Sequence, residues 1–223
     1  LEQTRTAIAA QLQQANSPQI ATLDKQIAAC SAEVAALGAA ERSQTLGYHS
    51  QIMPSQATTK WVQVDLGESR AIDEIVLVPA HEAYGGHPGP GFGFPPRYKV
   101  EVSDDPQFAA SRTIVDHTAA DVPHPGDRWQ HFPAAGASGR YVRITATRLW
   151  ERTNDWIFAL GELVVLADGR NLAQGKTVTA LDSIEAAPSW GKANLIDGFS
   201  SRERVTSAEG ALSKRSQLET DLL

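Results

Sequence analysis

KWVQVDLG, residues 60–67, alternates apolar and polar side chains through Trp61, Val62, Val64 and Leu66 and then stops at glycine. Alternation of period two places one set of side chains on one face of a strand. The same period returns at Ile72, Ile75 and Leu77, at Tyr98, Val100 and Val102, at Tyr141, Val142 and Ile144, and at Leu163 and Val165 of FALGELVVL, residues 158–166. Clusters of Gly, Pro and Asp separate these short runs, at the spacing of an antiparallel sandwich or barrel. Two further pieces, NLAQGKTVTALDS at 171–183 and NLIDG at 194–198, come after all of them.

Outside this stretch the period changes to that of a helix. Ser17 and Pro18 form a start signal, and Ile20, Leu23, Ile27, Cys30, Val34 and Leu37 follow at spacings of three and four. Residues 1–14 continue the same composition, with a break at Asn16–Pro18, so residues 1–43 read as a helical hairpin with a coiled-coil-like seam. Residues 205–223 again carry helix formers and a thin apolar stripe. The expected organisation is therefore a β domain over 44–204 between helical arms at 1–43 and 205–223.

The 223 residues suffice for a sizeable core. A formal charge of −6 without a run of Lys or Arg argues against a nucleic-acid or anionic-membrane partner. Cys30 is the single cysteine, which excludes an internal disulfide framework and a thiolate metal cluster. No apolar run approaches the roughly 20 residues of a membrane span, and no signal peptide opens the sequence. Beginning in mid-helix at Leu1, the chain reads as a fragment or a processed product.

The ordered set KWVQVDLGESRAIDEIVLVP, PPRYKVEVSDD, GRYVRITATRLW and FALGELVVL resembles the discoidin domain, also called coagulation factor five/eight type C, of the galactose-binding-like sandwiches. The resemblance covers about residues 46–200. It implies a mainly β fold: a discoidin-like antiparallel β-sandwich, jelly-roll-like, inserted between α-helical coiled-coil arms. In the usual order of that family the NLA strand and DG loop open the domain, and a T-x-W-x-S segment follows. Here GYHS, 47–50, resembles that segment, while the opening pieces come last. Either a second domain begins at Asn171 and is cut short, or the domain is circularly permuted and 171–198 complete it. No second WVQVDLG follows Gly198, which favours permutation. GYHS, the Gly/Pro-rich segment and RTNDWIFALGEL further resemble segments of large exported proteins of planctomycete-type bacteria, implying an exported, periplasmic or cell-surface location. The absence of CxxCH excludes covalently attached c-type haem.

Many such domains hold a structural calcium ion, and the resemblance places Asp197, in the DG loop, and Glu162, at the start of the last strand, at two of its ligand positions. Hard oxygen donors suit Ca²⁺. The family's next acidic or amide ligand is replaced by Phe199, with Ser200 or Ser201 in place of a threonine. Hydrogen bonding between loops without any metal is the competing reading.

The segment PAHEAYGGHPGPGFGFPP, 79–96, is the most unusual in composition, carrying His81, Tyr84, His87, Phe92 and Phe94. Aromatic faces beside a few polar groups suit the C–H faces of sugars; a self-packed cap over one end of the sandwich is the alternative. A second cluster, Trp150, Arg152, Asn154, Asp155 and Trp156, precedes the closing strand. Arg152 and Asn154 suit vicinal hydroxyls and Trp150 a stacking role, against a plain Arg152–Asp155 ion pair with the tryptophans in the core. Trp190 is either a further stacker or a plug. His117, His124 and His131 read as solvated loop histidines. Catalytic constellations such as GxSxG, HExxH or a P-loop are absent.

The expected function is a non-catalytic module that binds carbohydrate or glycan through His81, Tyr84, His87, Trp150, Arg152 and Asn154. The rival is a structural or protein-interaction module that associates through its helical arms.

Overall fold

In chain order the strands of the β region are β1 (Tyr48–His49), β2 (Lys60–Val78), β3 (Ala80–His81), β4 (Pro90–Phe92), β5 (Arg97–Ser103), β6 (Arg112–His117), β7 (Gln130–Arg148), β8 (Trp150–Glu151), β9 (Trp156–Ile157), β10 (Ala159–Leu160), β11 (Glu162–Ala167), β12 (Arg170–Asn171), β13 (Thr177–Ala180), β14 (Phe199–Ser200) and β15 (Glu203–Arg204). They come from a computed structural model that describes residues 22, 25–29, 43–82, 86, 89–201 and 203–205. The chain divides into two compact units, residues 41–213 and residues 1–40 with 214–223. In the smaller unit the described residues, 22 and 25–29, are helical. Of the rest of the expected arms only Ser43 and Val205 are described, and neither is helical: Val205 packs against Val76, Val78 and Val164; the remainder, Cys30 included, lies outside the described residues.

The main sheet runs β12-β11-β2-β7-β5-β6, with β13 added along β2. Two strands of 19 residues each, β2 and β7, organise it. KWVQVDLG does not end a strand, as the sequence suggests; β2 continues to Val78 through register shifts between Asp65 and Arg70 and between Ile72 and Glu74. Gly67, at φ 91°, supplies the backbone conformation that the first irregularity needs. Lys60–Asp65 pair with the second half of β7, and Arg70–Leu77 pair with the first half. Val62, Val64 and Leu66 join the same buried cluster as Ile72, Ile75 and Leu77. Both halves of β2 therefore face one core, and the sheet folds over it into two layers. The second shift flips the inward positions from even to odd numbers, as a one-residue insertion must.

This bend sends the beginnings of β2 and β5 and the ends of β6 and β7 to one end of the sandwich, together with Val78 and Glu162. All the candidate loops leave from that end.

The piece at 171–183 enters this same sheet. Thr177–Ala180 pair antiparallel with Val62–Asp65 of β2. Ala173, Leu195 and Ile196 complete the main core. The chain's own beginning closes on this segment: Leu46 N–H donates to Ser189 O at 2.7 Å, Gly191 N–H donates to Gly47 O at 3.1 Å, and Tyr48 Oη donates to Asp182 O at 3.1 Å. Lys60, buried at the start of β2, pairs with the Asp182 carboxylate. Residues 171–198 thus form part of the domain that GYHS begins, and the strand order is that of a circular permutation.

Candidate functional site

At the loop end, the glycines and prolines of 79–96 turn two aromatic rings inward. Phe94 lies in the main core against Tyr98, edge-on at 5.4 Å, and Phe92 is buried in a second cluster with Leu46, Ala80, Ile157, Ala159 and Trp190. That part of the segment is a cap. His81, at its start, is half-exposed, with Nδ1 3.0 Å from Asp127 Oδ1. Tyr84 and His87 lie outside the described residues.

Trp150 is half-buried on β8, its ring 5.3 Å from that of Phe92 and 6.5 Å from that of His124. β8 and β9 make a short hairpin in which Asn154 takes φ 60° at the turn and is exposed. Asparagine is one of the few residues that adopts this conformation readily. Arg152 closes the hairpin, donating from Nε and Nη2 to the two Asp155 oxygens at 2.9 and 2.6 Å. A bidentate pair of this kind fixes both side chains, and the Arg152 guanidinium holds the Asp155 carboxyl below the usual carboxylate range. Trp156 packs against the main core, and Trp190 plugs the second cluster, its ring stacked 5.8 Å from Phe92.

Sequence reading missed His49. It is buried between Phe92 and Trp190, with ring distances of 5.9 and 5.2 Å, and Nδ1 lies 2.6 Å from Ser50 O. Burial pushes its pKa down, so the ring is neutral at pH 7, and the close carbonyl requires the proton on Nδ1. GYHS carried the signal, because a polar ring between tyrosine and serine in a short strand has to find a partner. His117 and His131 are corrections: they sit on β6 and β7 rather than in loops. His117 packs on Tyr98 and Phe132, and His131 Nδ1 lies 3.1 Å from Glu74 Oε1.

Glu162 and Asp197 come together beneath this end. Glu162 is fully buried; Oε1 accepts the Gly198 N–H at 3.0 Å, while Oε2 is buried without a hydrogen-bond partner. Asp197 Oδ1 accepts the Phe199 N–H at 2.8 Å, and nearby Thr45, whose hydroxyl donates to Ser43 Oγ at 3.0 Å, offsets part of the effect of burial on this carboxylate. Burial raises the Glu162 pKa well above its ordinary value, and the neighbouring Asp197 charge adds to the effect. Burial raises Asp197 as well. A fully buried carboxylate with one orphaned oxygen, beside a second that is partly buried, fits a hard cation. Among the described residues no three His, Cys, Asp or Glu side chains converge on a metal position, so carbonyl or water oxygens would have to complete the shell.

The F5/8 type C domain model matches residues 26–160. The chain belongs to this family. The match ends before β11, so the place of residues 171–198 in this F5/8 type C domain rests on strand pairing, core packing and the contacts of Asp182 and Ser189. No curated protein matches the chain. Solved structures similar to it include CpGH89CBM32-5 from Clostridium perfringens, in complex with GalNAc-β-1,3-galactose, at 18% identity over 51% of this chain and 70% of that one, with a TM-score of 0.38. A second, CpGH89CBM32-6 from the same organism, shares 22% identity over 50% and 71%, with a TM-score of 0.34. Chitosan-binding module 1 from a chitosanase/glucanase of Paenibacillus sp. IK-5 shares 18% identity over 58% of this chain and all of its own, with a TM-score of 0.37. Among the described residues no helix is long and apolar enough to cross a membrane.

Proposed function

We propose that the F5/8 type C domain is a non-catalytic module that recognises a glycan within a larger exported bacterial protein. The observation that carries the reading is Trp150: a half-buried indole backed by the Phe92 ring, on a hairpin whose geometry is locked by the Arg152–Asp155 pair. A sugar ring stacks on a rigid aromatic face at small entropic cost, and Asn154 at the adjoining turn offers an amide to its hydroxyls. Because Arg152 Nε and Nη2 are engaged with Asp155, Arg152 contributes mainly by holding the hairpin. His81 is half-exposed on the neighbouring loop.

Trp150→Ala is expected to abolish retardation of the protein in affinity gels containing galactan or chitosan. Asn154→Gly, which keeps the positive φ, is expected to weaken it about tenfold, the loss of about 1.4 kcal/mol. If Trp150→Ala runs as slowly as the unchanged protein, the platform is not the site. If neither protein is retarded by any polysaccharide, a structural or protein-interaction role replaces this reading.

Glu162 and Asp197 would hold Ca²⁺ as a structural ion; bound, it supplies a positive charge beside the buried Glu162 carboxylate and the partly buried Asp197. Calcium at a hundred times its dissociation constant adds about 2.7 kcal/mol to the folded state, which in a chain of this size raises Tm by about 5–10 °C. The expected result is a Tm that falls on chelation and recovers with Ca²⁺, and that ceases to respond in Glu162→Gln. An unchanged Tm at millimolar Ca²⁺ would remove the ion from the account.

A further inference from the structure

The loop end carries a second concavity of about 370 Å³, lined by Gln56, Ala57, Arg97, Thr118, Thr147 and Arg148. Arg97 begins β5 and Arg148 ends β7, and these two residues are register partners on adjacent strands. Asp121 lies between their guanidinium groups: Arg97 Nε is 2.5 Å from Oδ1, and Arg148 Nη1 is 3.6 Å from Oδ2. One carboxylate against two guanidinium groups leaves one positive charge in excess. Two side-chain atoms of the lining residues, Arg148 Nε and Thr147 Oγ1, are buried and have no hydrogen-bond partner. Gln56 Nε2 is committed to Leu149 O at 3.1 Å, and Thr118 Oγ1 to Asp116 at 2.6 Å. Neither of these donors is directed at the orphaned pair.

A folded domain seldom leaves a guanidinium N–H and a neighbouring hydroxyl unsatisfied in one depression, because each loses its hydration without compensation. A ligand that brings two adjacent oxygens and one negative charge satisfies both atoms and neutralises the excess. A carboxylate has that form, and guanidinium groups bind it with matched planar geometry. A phosphate dianion matches less well, because Asp121 stands between the two arginines. The size lies in the range of small-ligand pockets.

We propose that this pocket binds the carboxylate of a sugar acid, so that the module takes an acidic glycan residue here. The anion chemistry stands on the pocket alone; the choice of a sugar as its carrier rests on the glycan reading of Trp150.

The test is titration of the full chain with glucuronate, glucose and acetate, followed by the amide resonances of Thr118, Thr147 and Arg148. Glucuronate is expected to shift them saturably, glucose to leave them in place, and acetate to bind at least tenfold more weakly than glucuronate. Arg148→Gln is expected to weaken glucuronate at least tenfold. Thr147→Val removes an unsatisfied hydroxyl with little change of shape, so it should retain the thermal stability of the parent and still weaken glucuronate several-fold. The proposal is overturned if glucuronate shifts nothing, if glucose shifts the same amides equally, or if both variants bind as the parent does. Acetate binding as tightly as glucuronate overturns the sugar as carrier. Trp150→Ala separates the two readings: if the platform fails in affinity gels, these shifts still report on the pocket.

Discussion

A chain cut after Gly169 is expected to show no cooperative thermal transition, and placing residues 170–205 ahead of residue 43 through a short flexible linker is expected to restore one. The cut removes β13, and with it the hydrogen bonds along Val62–Asp65. It takes Ala173, Leu195 and Ile196 from the main core and Trp190 from the second. It also deletes Asp182, leaving the buried Lys60 ammonium unpaired. Stranding one partner of a buried ion pair costs about 3–5 kcal/mol, and each large apolar side chain lost from a core about 2–5. Together these are as large as the 5–15 kcal/mol that hold a typical domain folded. The permutant should fold because both junctions suit it. Val205 N–H donates to Gly198 O at 2.7 Å, next to Asp197, whose carboxylate lies near Thr45, so the linker joins neighbouring points. The new break falls between Gly169 and Arg170, at the end of the exposed Asp168–Gly169 turn. Circular dichroism on heating checks both. A truncated chain that melts like the parent, or a permutant that never folds, would contradict the closure.

Gly47→Ala is expected to lower stability by at least about 4 kcal/mol, or to prevent folding, on a scale where most substitutions cost 0.5–3. Gly47 has φ 119°, and a Cβ there would lie 2.6 Å from Gly161 O and closer still to Leu160 O. Both obstacles are backbone atoms of the β10–β11 junction, which cannot move without disturbing the β1–β10 pairing. Gly169→Ala, also at positive φ but with open space around it, isolates the cost of the backbone conformation. A difference of less than about 1 kcal/mol between the two variants in urea unfolding would show that the crowding at Gly47 is relieved cheaply.

Much of this domain was legible in residue order. Alternation at Val62 and Val64, at Val100 and Val102, and at Val142 and Ile144 marks strands because a pleated chain presents every second side chain to the core. The late position of NLAQGKTVTALDS pointed to β13 closing on β2. The continuity of β2 and β7 through their bulges was not legible, since DLG reads as a stop when the chain in fact bends and continues. Nor were His49 and Thr45, whose significance comes from partners far along the chain, at Phe92, Trp190 and Asp197. The pocket of Arg97 and Arg148 draws on β5, β7 and two loops, and no local motif joins them.

What the sequence determined by itself is the kind of domain: a sandwich of alternating strands in which the NLA and DG pieces come last. These depend on local period and on motif order, which a linear chain carries. The tertiary structure alone decided which groups at the loop end are engaged and which are left over. Arg152 is held by Asp155, Phe92 and Trp190 are turned inward, and Trp150 packs half-buried on Phe92, while Arg148 Nε and Thr147 Oγ1 are buried without hydrogen-bond partners. Whether a polar atom is satisfied depends on every segment that folds around it, so it is a property of the packed molecule and not of any stretch of its sequence.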